Sequence, residues 1–118
     1  MAGDVTMWFN PRCSTCRTTR ALLAEQGVDA DYVEYLRAAP DRPELERVMG
    51  LLGIDDPREM MRTGESVYKE LALADAEGDA LLDAMAENPI LIERPIVIRG
   101  DRAVIGRPPE RVRELLDG

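Results

Sequence analysis

Apolar and polar positions change rhythm along this chain, and the changes mark its elements. Residues 5–9, VTMWF, are a short β-branched and aromatic run that predicts a strand. NPRCS then reads as a turn, because Pro11 fixes φ and cannot donate to a ladder. From there TCRTTRALLAEQ has helical spacing, with Ser14 or Thr15 as the cap and Cys16, Leu22 and Leu23 on the inner side. Gly27 suits the position just past the helix end. DYVEY, 31–35, alternates as a second strand. Strand, loop, helix, strand is the crossover unit of a parallel pair.

The middle of the chain keeps the helical rhythm. Pro40 and Pro43 bracket a turn, and PELERVMGLLG follows with Leu45, Val48, Met49 and Leu52 on one face. DPREMMR predicts a short helical turn behind Asp55 or Asp56, and SVYKELAL a helix capped by Ser66. DALLDAMAEN, 79–88, is amphipathic through Leu81, Leu82 and Met85 and stops at Asn88–Pro89. Residues 43–88 therefore read as a helical insertion.

The end returns to sheet. IVIR (96–99), Gly100–Asp101 and RAVIG (102–106) form a hairpin pattern, and PPERVRELL closes as a helix with Pro in its first turn. The order is β-α-β, helices, β-β-α. This predicts an α/β, thioredoxin-like fold: a small mixed sheet flanked by helices, with a helical insertion. No repeat or linker divides the chain, so residues 1–118 are read as a single domain.

Charge narrows the partners. The 118 residues carry 23 acids against 15 bases, a formal net charge of −8, which argues against nucleic acid as a direct partner. No apolar stretch approaches the ~18 residues of a membrane span. The opening MAGDVTMWF lacks a charged segment followed by a long apolar run, so no signal peptide is expected and the expected location is cytoplasmic. There, thiols stay reduced, and a close Cys pair is a candidate for redox or metal chemistry. The chain has no histidine, which removes the usual general base and the common zinc ligand.

Both cysteines lie in NPRCSTCRTTR, residues 10–20. If the helix starts at Ser14 or Thr15, Cys13 precedes its first turn, where unpaired N–H groups and the positive dipole end favour an anion. A thiolate there has a lowered pKa, so Cys13 is expected to be a low-pKa, solvent-reachable thiol. Cys16, one turn on, can attack Cys13 once it is oxidised. A buried structural pair remains the competing reading, since free Cys is among the most buried residue types. A structural zinc site wants about four ligands, and two carboxylates would have to complete it, so no metal is expected. A phosphatase-type loop needs Arg six positions after Cys, and position 19 is Thr.

Four stretches then occur in order: NPRC at the first strand–helix turn, MMRTGE at 60–65, NPILIERPIVI at 88–98 and IGRPPE at 105–110. Together they closely resemble the glutaredoxin-coupled arsenate reductase family (ArsC-like), which shares a fold with the Spx redox regulators. The resemblance implies that Cys13 is the nucleophile that attacks arsenate. It implies that Arg62, Arg94 and Arg107 hold the oxyanion and its thiol adduct, with Asn10, Ser14 and Pro95 in support. Planar guanidinium forks suit such oxygens. It further implies a cis Arg94–Pro95 bond. No bound cofactor is expected; an external thiol reductant would serve, from glutathione with glutaredoxin, thioredoxin or another low-molecular-weight thiol. The implied partners are arsenate or a similar oxyanion and a thiol-reductase protein as electron donor.

The chain departs from that family at two positions. Many such reductases have His where this chain has Phe9, so ionisation of Cys13 must rest on the helix terminus and the arginines. They commonly have Ser or Thr where this chain has Cys16. The CxxC spacing is that of the Spx regulators, which typically lack the Gly-Arg-Pro found here at 106–108. The expected function is thiol-dependent reduction of arsenate to arsenite. An Spx-like redox-sensing regulator that binds a protein partner, and an ArsC-like thiol oxidoreductase with another substrate, stand as alternatives.

Overall fold

The computed structural model describes residues 5–116; residues 1–4, the start of the opening MAGDVTMWF, lie outside them. The chain forms two compact units. One comprises the segments that end at Ala38 and begin at Arg94, and the other runs from Ala39 to Glu93.

The first unit holds the sheet. β1 (Val5–Phe9) leads through α1 (Ser14–Glu25) to β2 (Asp31–Glu34), which pairs parallel with β1 and sets Met7 opposite Tyr32. β3 (Ile96–Arg99) pairs antiparallel with β1, Trp8 opposite Ile96, and turns tightly into β4 (Arg102–Ile105). The strand order is β2-β1-β3-β4. With a parallel β-α-β half and an antiparallel hairpin half, this is the thioredoxin-like arrangement that the sequence predicts.

Alternation along the strands builds the core. Val5, Met7 and Phe9 of β1 gather with Val97 and Val104, and α1 adds Cys16 and Leu23. Val112, in a 3-10 turn over Pro109–Val112, and Leu115 of α5 (Arg113–Leu116) complete it. The closing segment thus begins as a tighter turn before becoming α-helix. Gly27 follows α1 at φ 71°, the left-handed conformation that a helix stop requires.

The second unit is helical. α2 (Arg42–Leu52) is capped by Asp41, whose carboxylate accepts the Glu44 N–H at 3.0 Å, and it packs against α4 (Gly78–Glu87). Leu45, Val48, Leu81 and Met85 are buried at these helices' inner positions. Asp56 caps the 3-10 turn Pro57–Met60. Ser66 opens α3 (Ser66–Glu70) but does not cap it: Glu65 holds the cap position. Glu65 is fixed there because its N–H donates to the Arg62 carbonyl at 3.1 Å, a turn that starts the helix one residue early. α3 stops well short of the predicted span, since Ala72 takes a left-handed φ of 53°. The Arg58 guanidinium gathers the chain that follows, donating to the Leu73 and Ala76 carbonyls at 2.8 and 2.7 Å and to the Tyr68 hydroxyl at 3.0 Å.

The Arg94–Pro95 peptide bond is cis, as expected; Arg107–Pro108 is cis as well, which the sequence did not suggest.

Candidate active site

The site is built at the turn between β1 and α1. Asn10 shapes that turn twice: its side-chain oxygen accepts the Arg12 N–H, and its carbonyl accepts the Cys13 N–H, both at 2.9 Å. Pro11 supplies the fixed φ of the second turn position. The helix consequently begins one residue earlier than Ser14 or Thr15 would cap it. Cys13 is itself the N-cap, at φ −90° and ψ 121°, and its carbonyl accepts the Arg17 N–H at 3.1 Å. No side chain caps α1. Ser14 is its exposed first residue. The amide groups of the first turn are therefore directed to where the thiol lies.

Cys13 is less open than expected, with 7% of its surface exposed. Its sulfur faces protein groups instead. Arg107 Nη2 lies 3.9 Å from Cys13 Sγ, while Arg107 Nε donates to the Arg94 carbonyl at 2.7 Å. The Arg94 guanidinium acts electrostatically on the Cys13 thiol and on Tyr35, a fully buried residue. Burial alone would raise the Cys13 pKa. The Cys16 backbone N–H, the Arg94 hydrogen bond, the Cys16 thiol and the Arg94 charge outweigh it and lower the pKa to about 7. The helix terminus and Arg94 thus do the work without a histidine.

Cys16 is fully buried against the sheet, and both cysteines are free thiols. Burial pushes the Cys16 pKa up; the Asn10 backbone opposes this, the neighbouring Cys13 adds to it, and the result is about 11. The two thiols act on each other: Cys16 helps to lower the Cys13 pKa, and Cys13 helps to raise that of Cys16. One is poised to ionise near neutral pH, and its neighbour stays protonated.

Close packing fixes the arginines' backbone. Gly106 donates its N–H to the Pro95 carbonyl at 2.8 Å. A Cβ at Gly106 would lie 3.0 Å from Pro95 Cγ and 3.2 Å from Thr19 Oγ1. Only glycine allows this approach, which sets the hairpin exit beside α1 and places Arg107 near the thiol. Thr19, buried in α1, satisfies its hydroxyl on the Thr15 carbonyl at 2.9 Å.

The first unit therefore brings together Cys13, Cys16, Arg94 and Arg107, with Asn10, Ser14 and Pro95 in the segments that carry them. Arg62 belongs to the second unit. Its N–H donates to the Leu91 carbonyl at 2.7 Å, and Met61 pairs with Ile92 in an antiparallel bridge. Its Nε donates to Glu65 at 3.0 Å, and Nη1 lies 3.8 Å from Glu93. Residues 61–65 and Glu93 line a cleft of about 360 Å³. Sequence reasoning missed Tyr35 and Thr19. Tyr35 reads as a strand residue and Thr19 as a polar helix position, and neither pattern reveals a buried hydroxyl. Among the described residues no group of three or more acidic or thiol side chains could hold a metal ion, and no helix is long and apolar enough to cross a membrane.

A mixed sheet in the order β2-β1-β3-β4, with a thiol at the first strand–helix turn, defines a thioredoxin-like cysteine protein. The chain belongs to the ArsC family, whose model matches residues 8–115. It is 46% identical over 115 residues to the arsenate reductase of Haemophilus influenzae, covering 96% of this chain and 99% of that one. It is 46% identical over 118 residues to the Escherichia coli protein named "Uncharacterized protein YfgD", covering 98% and 99%. The solved structure of an arsenate reductase from Vibrio cholerae matches with a TM-score of 0.94 at 47% identity, over 97% of this chain and 98% of that one.

Proposed function

We propose that this protein is a thiol-dependent arsenate reductase in which Cys13 is the nucleophile. The observation that carries the reading is the Cys13 thiol held at a pKa of about 7 with the Arg94 and Arg107 guanidiniums against it. Its membership of the ArsC family and its similarity to proteins named arsenate reductase support the substrate. The Cys13 thiolate attacks arsenic, an As–O bond breaks, and the oxygen leaves as water after protonation. This gives a Cys13–arsenate adduct. A second thiol then attacks Cys13 Sγ. The S–As bond breaks with its electron pair remaining on arsenic, which departs as arsenite, and Cys13 is left in a disulfide. Arg94 and Arg107 compensate the oxyanion's charge, and by the family resemblance Arg62 also serves it. Cys16 is the second thiol, and an external thiol reductant restores both cysteines. The test is arsenate-dependent consumption of reductant by the wild type, with Cys13→Ser inactive. Absence of arsenate-dependent turnover with every reductant tried would falsify the reading.

A further inference from the structure

The chain's charge is divided between its two units. Over residues 1–38 and 94–118 the first unit carries ten arginines against nine acidic side chains, and the second carries five basic side chains against fourteen acidic ones. The negative total thus lies almost wholly in the second unit. Positive charge is concentrated around Cys13: residues 5–24 hold Arg12, Arg17 and Arg20 and no acidic residue at all. All three arginines are exposed. Arg17 and Arg20 stand one turn apart on α1, Arg17 turned away from buried Cys16, Thr19 and Leu23 and Arg20 flanking them. Arg17 Nη1 donates to the Pro11 carbonyl at 3.0 Å, which folds its charge back over the Cys13 turn. Arg20 lies over the Tyr32 ring, 4.9 Å from its centroid. None of the three is paired with a carboxylate among the described residues. The arginines of the second unit differ: Arg42, Arg47, Arg58 and Arg62 all have carboxylate partners.

Unpaired surface charges of one sign around a reactive atom raise the encounter rate of an oppositely charged partner and do little for stability. We infer that the exposed face of α1, through Arg17 and Arg20 with Arg12 at its end, is the docking surface for an acidic dithiol protein that reduces Cys13. The inference rests on the proposed function only in taking Cys13 as the thiol that becomes oxidised. In the exchange a donor thiolate attacks the oxidised Cys13 sulfur and expels the thiolate bonded to it. The donor's second thiol then attacks the mixed disulfide, which leaves the donor as a disulfide and Cys13 as a free thiolate.

The experiment uses the full chain with Cys16→Ser and Cys13 capped by 5-thio-2-nitrobenzoate, whose release is read by colour. Release rates are measured with a thioredoxin of net negative charge and with neutral dithiothreitol, with and without R17E/R20E. The expected result is a thioredoxin rate that falls about tenfold in the double variant and falls with added salt in the parent, with an unchanged dithiothreitol rate. A thioredoxin rate insensitive to both, or no reaction with thioredoxin, overturns the inference. So does an equal loss with dithiothreitol, which would place the effect on α1 itself. Binding of duplex DNA by the parent that is lost in the variant, with thioredoxin exchange unaffected, would assign the face to nucleic acid instead. Because the readout contains no arsenate, failure of this docking surface and failure of arsenate reduction are seen separately.

Discussion

Arg107 reaches Cys13 through its neighbour: its Nε donates to the Arg94 carbonyl at 2.7 Å, and its Nη2 lies 3.9 Å from Cys13 Sγ. The two arginines therefore act on the thiol differently. Arg94 lowers the pKa of the thiol, whereas Arg107 sets a guanidinium nitrogen beside it.

The titration of the cysteines follows. Folded-state stabilisation of the thiolate means that Cys13 ionises as pH rises through about 7, and the reactive form is lost below that. Iodoacetamide labelling of Cys13 against pH should show a midpoint near 7. Cys16, buried and with its pKa pushed up to about 11, should stay unlabelled until the protein is unfolded. A Cys13 midpoint like that of a free thiol, near ~8.5, would remove the basis for the nucleophile.

Removing the arginines should separate two effects. Arg94→Ala should raise the Cys13 midpoint and also slow arsenate turnover. Arg107→Ala should slow turnover and move the midpoint less, because Arg94 is the arginine among the causes of the lowered pKa. A hydrogen bond to a charged group contributes roughly 1.5–3 kcal/mol, so each loss should exceed about tenfold in kcat/KM. Arg62→Ala should lower turnover to a similar degree without moving the midpoint. Near-normal turnover in all three variants would count against an arginine-held oxyanion.

Cys16→Ser tests the second thiol. Oxidised wild type should contain an internal Cys13–Cys16 disulfide, seen as a loss of two mass units, and the variant should instead accumulate mixed adducts on Cys13. Turnover at the wild-type rate with every reductant would leave Cys16 a packing residue.

Gly106 can be probed by stability alone. In Gly106→Ala the added methyl meets Pro95 Cγ at 3.0 Å and Thr19 Oγ1 at 3.2 Å, and the proline ring has little freedom to yield. Overpacking of this kind costs about 1–3 kcal/mol, readable as a lower midpoint in urea. An unchanged midpoint would mean that the β4 exit is not tightly seated on α1.

Much of the fold was legible because its signals are local. Alternation in VTMWF, DYVEY and IVIR, the stop at Gly27 and the turns at Asn10–Pro11 and Gly100–Asp101 all act within a few residues, and the observed β1, α1, β2 and β3–β4 hairpin follow them. The CxxC spacing also fixes that Cys16 stands one helical turn from Cys13. Errors fell at the helix ends, where competing hydrogen bonds decide: Asn10 made Cys13 the cap of α1, and the turn at Arg62 made Glu65 the cap of α3. What no local pattern contains is the meeting of residues far apart in sequence. Arg94, with Tyr35 near it, is brought to Cys13 by strand pairing, and Arg107 by the absence of a side chain at Gly106. The low pKa of Cys13 and the high one of Cys16 depend on those approaches. Burial and charge act through distance in space, which tertiary packing sets and sequence spacing does not.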